Sequence, residues 1–200
     1  MTNGLIFISH GEGKMEGILS INTNPMGNPF CEYMSEYKTY VCYSCYARRH
    51  LQYRRLAAAH YTENGKLLAS RLLTDDELPR FNEKYVRFHS YGELFNVNHL
   101  ANFVRIAELN EGTTFALWTK RNDLAQDYFE EKEKPKNLIL VYSQICINPQ
   151  KVWIPKGFDK TFSVVTNERK MNCWGKCIEC LKCYHLSDQK SDNFIYEKLK

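Results

Sequence analysis

Seven of the chain's eight cysteines fall into two groups, and no other feature restricts the fold as much. Cys173, Cys177, Cys180 and Cys183 lie within eleven residues near the C-terminus, in Asn-Cys-Trp-Gly-Lys-Cys-Ile-Glu-Cys-Leu-Lys-Cys-Tyr-His. Far upstream, Cys31 is followed by Cys42 and Cys45 in Val-Cys-Tyr-Ser-Cys-Tyr-Ala. So dense a set of soft sulfur donors points to metal. The fold must therefore carry a pinned tail and a pinned loop around whatever core lies between them.

Disulfides are the competing use of eight cysteines, but they belong to an oxidising compartment and a secretion signal. The start of the chain has only a four-residue apolar run, Leu5-Ile6-Phe7-Ile8, and no basic segment before it. The expectation is a cytoplasmic protein with reduced, metal-bound thiols. No apolar stretch approaches the roughly 20 residues that span a bilayer, so a membrane role is not expected. Lys and Arg exceed Asp and Glu by 27 to 23, too small a surplus to imply a nucleic-acid partner by itself.

Short apolar runs alternate with helical patterns, which is the signature of β/α units around a parallel sheet. Strands are expected at Leu5–Ser9, Ile18–Asn22, Tyr85–His89, Thr114–Thr119, Leu138–Tyr142 and Phe162–Thr166, and helices at Val97–Leu109 and Asp123–Glu131. Thr74 and Glu77 have capping-box spacing. The 200 residues most simply make one domain. Residues 1–166 would form a partial or small (β/α) barrel carrying the first cysteine loop, and 167–200 a cysteine-rich metal-binding extension. A full eightfold barrel needs about 250 residues. A helix is also expected from Tyr46 to Tyr61, with Tyr46, His50, Tyr53 and Ala57 inward and Arg48, Gln52 and Arg55 in water. That places Cys42 and Cys45 at a helix N-terminus, where the dipole favours thiolates.

The run Cys-x3-Cys-x2-Cys-x2-Cys reverses the bacterial ferredoxin spacing, which favours an iron–sulfur cluster over zinc, whose usual sites are paired Cys-x2-Cys knuckles. Cys31, Cys42 and Cys45 supply three ligands. On a four-iron cluster, three leave one iron open. The other readings are that a further protein ligand closes the site, or that Cys31 is an uninvolved loop residue. Cys146, between Ile145 and Ile147, is expected as a small buried hydrophobe. His185 is a spare ligand candidate, and Trp174, Tyr43 and Tyr184 are expected to shield the centres from water.

These cysteines, together with Val86-Arg87-Phe88-His89-Ser90-Tyr91-Gly92-Glu93-Leu94-Phe95 and Phe115-Ala116-Leu117-Trp118-Thr119-Lys120-Arg121, resemble the phage gene product 88 family from about Ile18 to His185. The pattern is in turn similar to radical S-adenosylmethionine (SAM) proteins, although ten residues separate Cys31 from Cys42 where three are usual. The resemblance implies a radical-SAM-like partial barrel and a [4Fe-4S] cluster on Cys31, Cys42 and Cys45. It implies SAM as cofactor, with Gly92 and Glu93 receiving its amino group and Thr119 and Lys120 at the next strand end. An electron donor would be a partner, and Cys173, Cys177, Cys180 and Cys183 would hold a second cluster. The alternative is a non-enzymatic protein stapled by iron–sulfur or zinc centres. It would contact nucleic acid or a host protein through Arg48, Arg49, Arg54 and Arg55.

Overall fold

The strand-forming segments of this chain are rich in β-branched and aromatic residues, and several read as nearly continuous apolar runs, as strands buried on both faces do. The computed structural model describes residues 5–199 and assembles them into a seven-stranded, mostly parallel sheet. The strands are β1 (Ile8–His10), β2 (Leu19–Ile21), β3 (Tyr85–Phe88), β4 (Thr114–Thr119), β5 (Leu138–Ile147), β6 (Lys160–Val165) and β7 (Phe194–Lys198). Their spatial order is their sequence order. β1 is antiparallel to β2, and every later pair is parallel.

The helices are α1 (Pro29–Met34), α2 (Tyr46–Tyr53), α3 (Arg55–Ser70), α4 (Val97–Glu108), α5 (Asn122–Glu130) and α6 (Cys177–Cys180). The α/β class is as expected. Among the described residues β1 and β7 are not paired with each other, so no barrel closes. β7 has no counterpart in the expected strands, and the C-terminal extension therefore contributes to the sheet.

Alternation along the strands sorts side chains onto two faces. Val86, Phe88, Phe115, Leu117, Leu138 and Leu140 enter a large core shared with α3, α4 and α5. Phe88 stacks on Phe103 of α4 at 4.1 Å and on Phe115 at 4.9 Å. α4 begins where Asn96 accepts from the His99 amide, and its stripe of Leu100, Phe103, Val104 and Ala107 faces the sheet. The opposite face bears Tyr85, Ala116, Trp118, Ile139 and Val141, and the cysteine-rich tail lies on it through Leu181, Tyr184 and Ile195.

Three expectations need correction. The Tyr46–Tyr61 helix breaks at Arg54 (φ −109°, ψ 64°), with neither Gly nor Pro to announce it. Its inward stripe is Ala47 and Leu51, one turn apart, whereas His50 and Tyr53 are exposed and Tyr46 is half-buried. Cys146 is exposed, because β5 outruns the covered sheet past a register shift between Ser143 and Ile147. Thr74 and Glu77 do not form the reciprocal bonds of a capping box: Glu77 accepts from the Thr74 amide and hydroxyl, but its own amide donates to the Thr74 backbone carbonyl, and only a turn follows.

Candidate metal centre

The first cysteine group is built on the ends of strands and the loops that leave them. Asn28 caps α1 by accepting from the amides of Phe30 and Cys31, which fixes Cys31 in the buried first turn. The Asn28 Nδ2 donates to the Glu93 carbonyl at 3.1 Å, tying this helix to the loop after β3. The segment before α2 is anchored to the end of β5, where Val41 donates to Ile145 at 2.8 Å and Tyr40 bridges Cys146. Cys42 is buried in the next turn, and Cys45 is the N-cap of α2.

The loop after β3 is equally constrained. Asn22, following β2, accepts from the amides of Ser90 and Tyr91 through its Oδ1. Gly92 has φ +96°, and a Cβ there would lie 2.1 Å from Thr23 Oγ1 and 2.4 Å from the Thr23 carbonyl oxygen. Only glycine fits. Glu93 is then buried, accepting from Leu94 N and Thr119 Oγ1 on one carboxylate oxygen and from Lys120 N at 2.8 Å on the other. Lys120 Nζ donates to Ser143 Oγ at 3.2 Å. Gly92, Glu93, Thr119 and Lys120, chosen from separate segments of sequence, thus form one network beside Cys31.

Burial pushes the Cys31 thiol well up from its ordinary pKa, and the nearby Glu93 carboxylate and Cys42 add to it. Cys42 is raised by burial against the pull of Lys120. Burial works to lower Lys120, but Cys42, Glu93 and Cys31 together hold it above the ordinary lysine range. Glu93 is raised by burial, opposed chiefly by Lys120.

The C-terminal group is a compact knot. α6 spans Cys177–Cys180 and ends at Leu181 in the left-handed region (φ 48°). The turn brings Cys183 back under the sheet, where burial raises its thiol strongly, with Cys173, Cys177 and Cys180 contributing and Arg87 opposing. All four cysteines line a void of about 20 Å³. Three of them, Cys173, Cys177 and Cys183, also line a cavity of about 220 Å³, and Cys31, Cys42 and Cys45 line the same cavity. Six thiols therefore share one chamber.

Among the described residues, no three His, Cys, Asp or Glu side chains stand close enough to hold a metal ion. As donor sets both groups nonetheless fit a soft metal, being thiol-only, with Cys31 and Cys42 buried and Cys180 at the surface. The larger chamber has room for a cluster, whereas the void inside the knot has room for one atom-sized occupant.

The other expected side chains divide. Tyr184 is buried against Trp118, but Tyr43 and Trp174 are 51% and 68% exposed and shield nothing. Tyr43 lies in the turn that precedes α2. His185 meets the Tyr85 hydroxyl at 3.1 Å and lines neither cavity. Arg48 donates to Ser35 and Arg54 pairs with Glu12 at 2.8 Å, so the arginines after Cys45 are in part committed within the chain. Sequence reasoning passed over Arg87, Trp118 and Lys14, all of which line the chamber. The signal was present: an arginine among Tyr85, Val86 and Phe88 is a charge set into a buried strand.

Fold and site together define a cysteine-rich α/β protein with a thiol-lined chamber on one face of its sheet. The chain belongs to the gene product 88 family, a phage family whose model matches residues 12–193 and so spans both cysteine groups. No curated protein and no solved structure matches the chain significantly.

Proposed function

We propose that this is a cytoplasmic phage iron–sulfur protein with a radical-SAM-like site. Cys31, Cys42 and Cys45 would hold a [4Fe-4S] cluster, and Cys173, Cys177, Cys180 and Cys183 a second cysteine-ligated centre. The observation that carries the reading is that six thiols from opposite ends of the chain line one chamber. Consecutive parallel strands are also what a partial β/α barrel requires, and Gly92, Glu93, Thr119 and Lys120 lie at strand ends beside the first group.

A three-cysteine cluster with one open iron supplies one-electron chemistry to a bound SAM, fed by an external electron donor. The chain's own contribution is orientation and exclusion of water. Glu93 would receive the SAM amino group with the one carboxylate oxygen that has a single hydrogen-bond donor. Lys120 supplies positive charge next to the thiolates.

The small void inside the knot favours a second reading for that site alone: a single zinc ion as a structural staple. The two centres would then differ in kind, one reactive and one structural.

Anaerobic purification followed by iron, zinc and sulfide analysis tests both readings. The expected result is a brown protein with about four irons per chain if only the first site holds a cluster, and about eight if both do. Cys31→Ser, Cys42→Ser or Cys45→Ser should remove about four irons. A reduced-state paramagnetic signal from the first site should change when SAM is added. A colourless protein carrying only zinc, or a loaded protein whose signal ignores SAM, sinks the radical-SAM reading. A metal-stapled binding protein contacting nucleic acid or a host protein would then be preferred.

A further inference from the structure

Arg87 projects from β3 into the chamber that the two cysteine groups share. Its guanidinium lies 3.7 Å over the Trp118 ring, Nε donates to the His89 carbonyl at 3.3 Å, and Nη1 contacts Met15 Sδ at 3.3 Å. Among the described residues, Nη2 and the second Nη1 hydrogen have no partner, and no carboxylate is ion-paired with Arg87. Neither acid that lines the chamber pairs with Arg87. Glu93 is held by Thr119, Leu94 and Lys120, and Glu197 pairs with Lys14 at 3.0 Å.

A guanidinium half withdrawn from water without a counter-charge carries a desolvation cost, and stacking on Trp offsets only part of it. What the geometry leaves open is a forked donor, the shape that matches an oxyanion bidentately. Neutral groups nearby agree with it. Trp118 Nε1 and Ser90 Oγ, both on chamber-lining residues, are buried without a hydrogen-bond partner. Lys120 Nζ lines the same space with only the Ser143 hydroxyl as partner. Free donors exceed free acceptors, so the complement is rich in acceptors and negatively charged.

We propose that the chamber binds a small molecule through a carboxylate or phosphate group seated on Arg87, with Trp118 as the platform that holds the guanidinium flat. Size limits the class further. A cavity of about 220 Å³ has the dimensions of a small-molecule site and not of a groove for a nucleic-acid strand or a folded peptide. This deepens the reading of the chamber as a reaction site by naming the chemistry of what enters it. It rests on that reading for the role of the ligand, though not for its binding.

The test is calorimetric titration of the full chain, prepared anaerobically, with inorganic phosphate and separately with succinate, at low and at high chloride. Metal content is measured on the same samples. Saturable binding of at least one probe is expected, weakened by chloride, and the stronger probe tells phosphate from carboxylate. Arg87→Gln should weaken it at least ten-fold. Arg87→Lys, which keeps the charge but loses the fork and the stacking, should weaken it less, and both variants should keep wild-type metal content. Binding of neither probe by wild type, or equal binding by wild type and R87Q, overturns the proposal. Loss of metal from both variants also overturns it, because Arg87 would then be the counter-charge of the C-terminal centre. A metal-free protein that still binds the probe through Arg87 would remove the iron–sulfur reading and leave this one standing; a metal-loaded protein that binds neither probe would do the reverse.

Discussion

The two faces of the sheet are made from alternate residues of the same strands, yet they are finished in different ways. On one, Phe88, Phe103 and Phe115 stack between strands and α4 in a large, mainly apolar core. On the other, a smaller apolar cluster is closed by half-buried cysteines, and a chamber containing cations is left between them. The contrast teaches a division of labour. The helical face buries the larger apolar cluster, while the thiol face buries a smaller one edged by cysteines. On the proposed reading, a metal held by the thiols would add to its closure.

The strongest way to break that contrast is to damage the helical face. Phe103→Ala removes a fully buried ring from the stack and should cost about 3–5 kcal/mol by denaturant unfolding. That loss should be equal with and without bound metal. If chelation of the wild type costs as much as this substitution, the faces share the load and the division fails.

Gly92→Ala tests the joint between the faces. The new methyl meets the Thr23 backbone in a left-handed position, which should cost about 2–4 kcal/mol. The substitution therefore unseats the loop and is no clean probe of cofactor approach. A stable variant with full metal content would show that Thr23 and the loop move apart easily.

His89 carries a smaller, pH-dependent effect. Burial, the largest cause, holds its pKa down to about 3 against an ordinary 6.5, so the unfolded chain binds the proton more readily. Stability is complete above pH 6.5 and declines as pH falls toward 3, by at most about 1.4 kcal/mol per pH unit for one histidine. His99, also held low by burial, adds a decline of its own. His89→Asn, which tolerates the observed φ of 64°, should flatten part of the slope when urea midpoints are compared at pH 7, 5.5 and 4.5. An unchanged slope would place the acid sensitivity elsewhere, the thiol face included.

The smallest effect belongs to the surface. Glu77 is held to about 2, first by Arg71 and then by the Thr74 amide. Its contribution is present above pH 4.5 and lost as pH falls from 4.5 through 2. Glu77→Gln should remove only that weak component and leave melting at pH 7 nearly unchanged. A large loss at neutral pH would mean that the 71–77 turn supports the helical core.

Much of this division could be read from the chain because it depends on local pattern. β4 spans Thr114–Thr119 as expected, and α4 and α5 fall within a residue of their expected bounds, since their apolar spacing coincides with real burial. The convergence of Gly92–Glu93 with Thr119–Lys120 was legible for the same reason: all four sit just beyond or at the ends of neighbouring parallel strands. The shared chamber was not legible. It depends on the tail turning at Leu181 and returning as β7 beside β6, and nothing local to Cys173–Cys183 specifies that path. The break at Arg54 and the exposure of Cys146 are likewise decided by tertiary packing.

The order of the strands has a consequence for how the molecule is made. Because each strand pairs with its predecessor, the sheet can lengthen in the direction of synthesis, with each addition drawing on residues already released from the ribosome. Cys31, Cys42 and Cys45 emerge early, when the face they border is still uncovered. Cys173–Cys183 and β7 emerge last and are the parts that cover it. A nascent chain thus leaves its first cysteine group reachable from solvent, as through an open door, until the final residues shut it.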